Sequence, residues 1–352
     1  MRKESGMKLR IGIIGCGMIT KNRHAPEYAE NPSCELVAFY DRDRQRAEAL
    51  AKQYGAAVCD TVEELLALDL DAVSVCTANA FHADISVKAL NAGKHVLCEK
   101  PMAMTLEECL QMTEAADKNG KILMIGQNQR FAKAHQEARK LIAEGAIGKI
   151  LSFETKFGHG GPEIWTSTPN TWFFDKKQAV FGVMADLGIH KIDLMHYLMG
   201  EQITSVQAIM TILDKKWPDG RMIDVDDNAF CLLQTDSGIT GIMHVSWTFY
   251  GNEKNSAVIY GTEGVIRCYD DDECSLIYEK KGGETIRYNL EKILKNTDAT
   301  RGDRASTGVI DEFVDSILNS REPLCSGKES LKAMRVVFAA AESAKSGNKV
   351  HI

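Results

Sequence analysis

The sequence has no apolar run that approaches the ~20 residues needed by a membrane-spanning helix, which argues against an integral membrane protein. It also has no excess of positive charge, because 49 acidic residues outnumber 42 Lys and Arg and give a net charge of −7. This balance argues against a nucleic-acid partner and against attachment to a membrane surface through basic residues. No apolar stretch follows the charges of residues 1–10, so we expect no secretory signal.

The ten cysteines lack the spacing of a zinc site or a redox pair. They are dispersed singly, no C-x-x-C pair occurs, and the nearest two, Cys268 and Cys274, match no common zinc-binding pattern. We therefore expect reduced structural thiols, a cytoplasmic location and no metal ion. Internal repeats, low-complexity segments and a linker are also missing.

The 352 residues, of which 44% are hydrophobic, suit two globular domains. In the first 127 residues, short apolar runs alternate with amphipathic helical patterns, as in parallel strands that are buried on both faces. The predicted strands are Leu9–Ile14, Leu36–Tyr40, Ala72–Cys76, His95–Leu97 and Ile122–Ile125. This alternation predicts an α/β domain over residues 1–127 with a doubly wound parallel sheet, the Rossmann arrangement.

After about Gln127 the pattern changes to strands separated by turn signals. Thr235-Asp236-Ser237-Gly238 and Gly261-Thr262-Glu263-Gly264 are such turns, and each joins two apolar runs. Hairpins of this kind predict an α+β domain over residues 128–352 with a large, mostly antiparallel open sheet.

A glycine turn after the first predicted strand indicates a dinucleotide site. Gly15 and Gly17 match the first two glycines of the G-x-G-x-x-G/A fingerprint, and Thr20 replaces the third. The helix that begins there would offer N–H groups to a pyrophosphate, and we expect Met18 and Ile19 at its start to contact the cofactor.

The second strand ends at Asp41, whose carboxylate could accept hydrogen bonds from the adenosine ribose. Because this charge would repel a 2′-phosphate, we expect NAD. Arg42 keeps NADP possible, since its guanidinium could bind that phosphate or stack on adenine, or it could be a surface residue only.

Two further places carry groups suited to proton chemistry. Lys100 follows a predicted strand at the carboxyl edge of the sheet, where it could contact a substrate hydroxyl or form a surface ion pair. Asp186 and His190 lie four residues apart, which places them on one face if that segment is an α-helix. His190 could take a hydroxyl proton, or it could be a buried structural histidine.

Motifs across nearly the whole chain resemble those of the Gfo/Idh/MocA family, which includes glucose–fructose oxidoreductase and inositol dehydrogenase. The specific part is Glu99-Lys100-Pro101 together with Asp186-Leu187-Gly188-Ile189-His190, similar to the family's E-K-P and D-x-G-x-H. Thr77, Asn79 and His82 are similar to its T-P-N-x-x-H, with Ala78 in place of proline.

The resemblance implies that Lys100, Asp186 and His190 form the catalytic set. It also implies that Thr77, Asn79, His82, Glu99 and Lys100 join the glycine turn in cofactor binding. The family usually has a run of glycines before D-x-G-x-H, whereas this chain has Val180-Phe181-Gly182-Val183.

Substrate contacts are predicted for Lys100, Asp186 and His190, with two additions. Trp172 could stack on a sugar ring or could fill the core, and Arg130 could contact substrate or pair with an acid.

The expected function is hydride transfer between NAD(P) and a secondary hydroxyl of a sugar, sugar acid or cyclitol. The alternatives are an NAD-binding sensor without catalysis, and a glycoside hydrolase or epimerase that uses NAD transiently. The resemblance also implies a homodimer or a homotetramer.

Overall fold

A computed structural model describes residues 8–292 and 306–352. The chain divides into two compact units. Described residues 8–127 and 306–331 belong to the first unit, and 128–292 and 332–352 belong to the second. The domain limits 1–127 and 128–352 stay predictions, and their residues 1–7 and 293–305 lie outside the described part.

The first unit is built on a six-stranded parallel sheet of order β3-β2-β1-β4-β5-β6. Its strands are β1 (Leu9–Ile14), β2 (Cys34–Tyr40), β3 (Ala57–Val58), β4 (Ala72–Val75), β5 (His95–Cys98) and β6 (Leu123–Ile125). Its helices are α1 (Ala25–Glu30), α2 (Arg44–Tyr54), α3 (Val62–Ala67), α4 (His82–Asn91), α5 (Leu106–Asn119) and α10 (Val309–Leu318). The predicted doubly wound parallel sheet is confirmed, and the sequence pattern missed only the two-residue strand β3.

Local sequence signals explain where these helices begin and end. Thr105 caps α5, because its hydroxyl accepts the Glu108 N–H while the Glu108 carboxylate accepts the Thr105 N–H. Asp43 caps α2 by accepting the Gln45 N–H, and Gly55 ends that helix in the left-handed conformation.

The second unit contains a nine-stranded sheet of order β14-β13-β12-β11-β7-β10-β9-β8-β15. Its strands are β7 (Ile150–Gly158), β8 (Ile203–Thr211), β9 (Asn228–Thr235), β10 (Thr240–Ser246), β11 (Lys254–Gly261), β12 (Gly264–Cys268), β13 (Leu276–Lys280), β14 (Thr285–Tyr288) and β15 (Val350–His351). Among the strands that the structure describes in this sheet, only β10 and β7 pair in parallel, so the predicted mostly antiparallel sheet is also confirmed.

Four helices lie within the described part of the second unit, and a fifth is shared by both units. They are α6 (Lys133–Ala143), α7 (Pro162–Trp165), α8 (Lys176–Ala179), α9 (Ile189–Met199) and the shared α11 (Gly327–Ser346). Helix α9 is buried along almost its whole length, from Ile189 to Met199. In residues 8–292 and 306–352, no helix has both the length and the apolar composition needed to cross a membrane.

A strained turn precedes helix α9. Val180 has a φ of 65° and a ψ of −62°, a region that β-branched residues rarely enter. The Phe181 N–H donates to the Ala179 carbonyl at 2.9 Å and closes a three-residue γ-turn of the rare, strained hand. A Cβ on the next residue, Gly182, would lie 1.9 Å from the Asp226 carbonyl oxygen. Directly after the strained residue, the chain therefore runs close to Asp226.

We expect Val180→Gly to stabilise the protein. Relief of about 1–3 kcal/mol of backbone strain should exceed the entropic cost of about 0.5–1 kcal/mol that glycine adds. The free energy of unfolding from urea denaturation should therefore rise by about 1 kcal/mol. The matched control is Val265→Gly, because Val265 is half-buried in β12 with an ordinary φ. That control should be destabilised, and a Val180→Gly protein no more stable than the parent would contradict the strain.

Candidate active site

The predicted dinucleotide residues follow strand ends at one edge of the parallel sheet. The strand order is that of a dinucleotide-binding fold, whose ligand lies where the order reverses, here between β1 and β4. Gly15 and Gly17 follow β1, and Thr77 follows β4. Asp41 follows β2 and Lys100 follows β5. The parallel sheet thus gathers residues that are far apart in sequence.

The glycine turn has the shape that a bound pyrophosphate requires. Gly15 has a φ of 96°, and a Cβ there would lie 2.5 Å from the Cys76 carbonyl oxygen. At Gly17 no atom lies within 4 Å of where a Cβ would stand, so the backbone is open to a ligand. Thr20, in place of the third glycine, is accommodated because its hydroxyl donates to the Gly15 carbonyl at 2.6 Å. The turn therefore fits a dinucleotide despite the substitution.

The residues after this turn stay accessible. Met18 is half-buried, and Ile19 is 38% exposed. They begin a helical segment whose next turn, Thr20–His24, is a π-helix in which the Ala25 N–H donates to the Thr20 carbonyl. Such wide turns occur often at functional sites.

Asp41 is tied to the glycine turn. Its Oδ2 accepts the Cys16 N–H at 2.6 Å, and its Oδ1 accepts the Asp43 N–H at 2.8 Å. Arg42 is exposed beside it. These two hydrogen bonds hold the end of β2 against the glycine turn. The carboxylate has further lone pairs that could accept the ribose hydroxyls, and this contact stays a prediction.

His82 joins two of the predicted cofactor loops. The ring is fully buried, with Nδ1 2.8 Å from the Pro101 carbonyl oxygen and Nε2 3.1 Å from that of Thr77. Burial lowers the pKa of His82. Since both ring nitrogens face carbonyls of the protein, the ring positions the loops, and its contact with a cofactor stays a prediction. Asn79, also buried, begins the short 3₁₀ turn Asn79–Phe81 that precedes His82.

Lys100 follows Glu99 at the end of β5. Both side chains are half-buried, and the Lys100 N–H donates to Glu99 Oε2 at 3.2 Å. The other carboxylate oxygen, Oε1, lies 2.8 Å from His24 Nε2. Glu99 therefore contacts the protein itself through both oxygens.

In the second unit, Asp186 and His190 lie on consecutive turns of different kinds. The segment is helical, but its first turn is not the α-helix on which the shared face of Asp186 and His190 was conditional. Met184–Gly188 is a π-helix in which the Ile189 N–H donates to the Met184 carbonyl, and α9 begins at Ile189. The Asp186 and His190 side chains are buried, with relative exposures of 6% and 8%. Their relative direction is therefore set by a wide turn, not by α-helical spacing.

A fully buried tryptophan fixes Asp186. The Trp247 indole Nε1 donates to Asp186 Oδ2 at 3.0 Å. The His190 ring packs at 6.1 Å from the Phe157 ring. Both side chains are thus held in place before any substrate binds.

Asp226 holds the start of the same helical segment. Its Oδ1 accepts the Gly182 N–H at 2.7 Å, and its Oδ2 accepts the Met184 N–H at 2.8 Å. Burial raises the pKa of Asp226 to about 6, although these hydrogen bonds lower it. A carboxylate at the amino end of a helix also interacts favourably with the helix dipole. Asp226 therefore anchors the segment that carries Asp186 and His190.

Arg130 adopts the second of its two predicted roles. Its guanidinium forms two hydrogen bonds with the Asp193 carboxylate, at 2.7 and 2.6 Å, and both side chains are almost fully buried. The guanidinium is therefore bound by an acid of the protein itself, and its contact with substrate stays a prediction.

Trp172 belongs to an aromatic cluster that reaches Trp247. It stacks on Phe173 at 4.0 Å, and Phe173 lies edge-on to Trp165 at 5.6 Å and to Trp247 at 6.4 Å. Trp172, Phe173 and Trp165 are half-buried, so they combine a packing role with surface left for a ligand. Phe181 instead packs against Phe338 on α11 at 5.6 Å.

Three residues of this architecture were missed from the sequence: His24, Asp226 and Trp247. Asp226 stands in an acidic pair directly before β9, and two adjacent carboxylates next to an apolar strand were the available signal. Trp247 and His24 carry no such signal. In the part of the chain that the structure describes, no three His, Cys, Asp or Glu side chains are grouped so that they could hold a metal ion.

Comparisons with known families agree with this geometry. Residues 9–127 match the model of an oxidoreductase family with an NAD-binding Rossmann fold. Residues 135–267 match the GFO/IDH/MocA C-terminal domain.

Curated relatives span most of the chain. It is 29% identical to D-glucoside 3-dehydrogenase of Escherichia coli K12, over 98% of this chain and 97% of that one. It is 30% identical to levoglucosan dehydrogenase of Pseudarthrobacter phenanthrenivorans, over 73% of each chain. Inositol 2-dehydrogenase of Rhizobium meliloti is 29% identical, over 98% of this chain and all of that one.

A solved structure of levoglucosan dehydrogenase in complex with NADH and levoglucosan has the same fold. It superposes with a TM-score of 0.86 at 25% identity, over 98% of this chain and 100% of that one.

Asp41→Asn tests whether this carboxylate selects NAD. The amide can still accept the Cys16 N–H, but it no longer repels a 2′-phosphate, and Arg42 remains beside it. We expect the ratio of dissociation constants, NADP over NAD, to fall at least about tenfold, or ~1.4 kcal/mol, in fluorescence titrations. Asp43→Ala is the control, because it removes the cap of α2 and should leave the ratio unchanged. An unchanged ratio in Asp41→Asn would show that Asp41 does not discriminate.

Proposed function

The chain belongs to the GFO/IDH/MocA oxidoreductase family, and from this we propose that it transfers hydride between NAD and a secondary hydroxyl of a sugar, sugar acid or cyclitol. The proposal is supported by two groups of residues, one in each unit, that are already held in place by contacts within the protein. The first unit holds an open glycine turn with Lys100 at the same sheet edge, and the second holds Asp186 and His190 on one anchored helical segment.

The names of the relatives support this class of substrate. D-glucoside 3-dehydrogenase, levoglucosan dehydrogenase and inositol 2-dehydrogenase are named for sugar or cyclitol substrates. We propose that this chain oxidises a substrate of the same kind.

The roles of the side chains follow from their chemistry. Bound NAD would supply the hydride acceptor, held by the backbone of the glycine turn and by Asp41. His190 takes the proton of the reacting hydroxyl, because a neutral imidazole is a suitable base near neutral pH. Lys100 donates a hydrogen bond to the same oxygen and stabilises the negative charge that develops on it. Asp186, oriented by Trp247, accepts a hydrogen bond from a neighbouring hydroxyl.

Trp172 is proposed as a contact for the substrate ring. Its stack on Phe173 fixes the indole, and the C–H face of a sugar ring packs well against a rigid aromatic surface.

The cytoplasmic location also stays a proposal, supported by ten cysteines that are all free thiols in the structure.

The catalytic assignment is tested with Lys100→Ala and His190→Ala. Loss of a general base, or of the group that stabilises the charge developing on the substrate oxygen, typically costs about 10²–10⁴-fold in rate, and we expect kcat to fall in that range for both variants. The assay follows absorbance of reduced nicotinamide with glucosides, anhydrosugars and inositols as substrates. NAD affinity of His190→Ala, measured by titration, should stay within about threefold of the parent.

His196→Asn is the matched control, since it lies on the same helix and its Nε2 accepts the Ile203 N–H at 3.0 Å. We expect it to lose stability and to keep kcat. Turnover in Lys100→Ala and His190→Ala at the parent's rate would overturn the assignment.

We also propose that two copies of the chain pair through the open face of the nine-stranded sheet. Apolar side chains on neighbouring strands are exposed there, including Ile209 at 63%, Leu232 at 54% and Ile242 at 45%. Leu232 lies opposite Ile242, so these side chains form one continuous patch. A second copy fits this surface, because an apolar face is complementary to itself across a two-fold axis.

Leu232→Glu should shift the molar mass in sedimentation experiments toward that of the monomer, because pairing would bury two like charges. Gln53→Glu adds the same charge on α2 of the first unit and should leave the mass unchanged. A parent protein that is monomeric at high concentration would contradict the pairing.

A further inference from the structure

A chain of buried polar groups in the first unit links the glycine-turn helix to Lys100. His24 ends the π-helix Thr20–His24 and is 3% exposed. Its Nε2 lies 2.8 Å from Glu99 Oε1, and its Nδ1 lies 3.2 Å from Ser74 Oγ. Tyr28 Oη lies 2.9 Å from the same Ser74 Oγ. The hydrogen bonds therefore run from α1, across β4, to the end of β5.

Glu99 is the central group of this chain. One carboxylate oxygen faces His24, and the other accepts the Lys100 N–H. A Cβ added at Gly126 would lie 2.9 Å from Glu99 Oε1, so the carboxylate is also confined on the side of β6. Movement of Glu99 would therefore disturb the backbone of Lys100 directly.

The two groups carry opposite charges. Burial lowers the pKa of His24, but Cys76 and Glu99 raise it more strongly, and the net value lies well above the ordinary one. Burial raises the pKa of Glu99, but His24 and then Lys100 lower it below its ordinary value. At neutral pH the pair is thus imidazolium and carboxylate. Among the described residues, the other titratable groups that face His24 are Cys76, directly after β4, and Tyr28 and Glu27 on α1.

Stability alone is a poor explanation for this pair. Removing two charges from water carries a large cost in free energy, and well-packed apolar side chains often stabilise a fold equally well. A buried pair next to a catalytic group has another use, because its net charge sets the electrostatic field at its neighbour.

We propose that His24 is a positioning residue for Lys100 and acts through Glu99. The imidazolium fixes the carboxylate, which fixes the backbone at Lys100, and it cancels a negative charge that would otherwise act on the Lys100 ammonium group. The inference rests on the proposed function, in which Lys100 contacts the reacting oxygen.

The substitutions separate charge from shape. In His24→Gln the amide nitrogen can still donate to Glu99, but the positive charge is lost. Glu99→Gln removes the negative charge and keeps an acceptor for the Lys100 N–H. The double variant removes both charges and keeps the hydrogen-bonding atoms, so it restores electrical neutrality.

We expect His24→Gln to lower kcat about tenfold and to move the alkaline limb of the kcat–pH profile upward by about one unit, because Glu99 then carries an uncompensated negative charge beside the Lys100 ammonium group. The double variant should recover most of that shift. KM for NAD should change less than kcat, since the glycine turn is untouched. A pH profile that is the same in the parent, His24→Gln and the double variant would overturn the proposal.

A spectroscopic measurement tests the charge pair without turnover. With nitrogen-15 in the histidine rings, the His24 signals, assigned by their loss in His24→Gln, should be those of an imidazolium at neutral pH. In Glu99→Gln they should become those of a neutral ring. Neutral-ring signals in the parent protein would also overturn the proposal.

Two controls isolate the effect. Glu27→Gln is the same change at another buried carboxylate on α1, which accepts the N–H and hydroxyl of Thr307. It should lower stability and leave the pH profile in place, whereas a matching shift in Glu27→Gln would show that any buried charge change suffices and would overturn the proposal. Lys100→Ala distinguishes a failure of the His24 proposal from a failure of the proposed function, because an active Lys100→Ala protein refutes the proposed function itself.

Discussion

Buried polar atoms at the carboxyl edge of the parallel sheet must be paired, and the order of the first unit depends on this requirement. A buried donor or acceptor without a partner costs about 1–3 kcal/mol, so the side chains of Asp41, His82 and Glu99 are stabilised by the groups that hold them. Asp41 takes two backbone N–H groups, His82 faces two carbonyls, and Glu99 takes His24 and the Lys100 N–H. The loops that would meet the cofactor are therefore fixed to each other before it binds.

The same principle operates in the second unit with different residues. Asp226 takes the N–H groups of Gly182 and Met184, and Trp247 donates to Asp186. Electrostatic catalysis depends on groups that are already oriented when charge develops, because reorientation during the reaction would cost free energy. Both sets are thus preorganised by contacts within their own unit.

The sequence was sufficient for the fold and for the location of the key side chains. Strand ends are marked by apolar runs, so the positions of Gly15, Asp41 and Lys100 at one sheet edge followed from the pattern. The hydrogen-bond partner of each polar side chain could not be predicted from the sequence. From its position in the sequence, Arg130 could equally contact a substrate or form an ion pair with an acidic side chain. Asp193 reaches it only through tertiary packing. Trp247 lies 61 residues from the carboxylate it orients, and no local signal spans that distance.

The wide turn at Met184–Gly188 has a consequence for how the site tolerates change. An α-helix advances about 100° per residue, and a π turn takes in one residue more than an α-helical turn. If the same residues wound as a regular α-helix, everything after Gly188 would rotate by about that angle relative to what precedes it. The direction of the His190 side chain thus depends on the winding of this turn, in which the Ile189 N–H donates to the Met184 carbonyl. A substitution that alters only the winding of this turn would redirect His190 while every side chain proposed for catalysis remains in the chain.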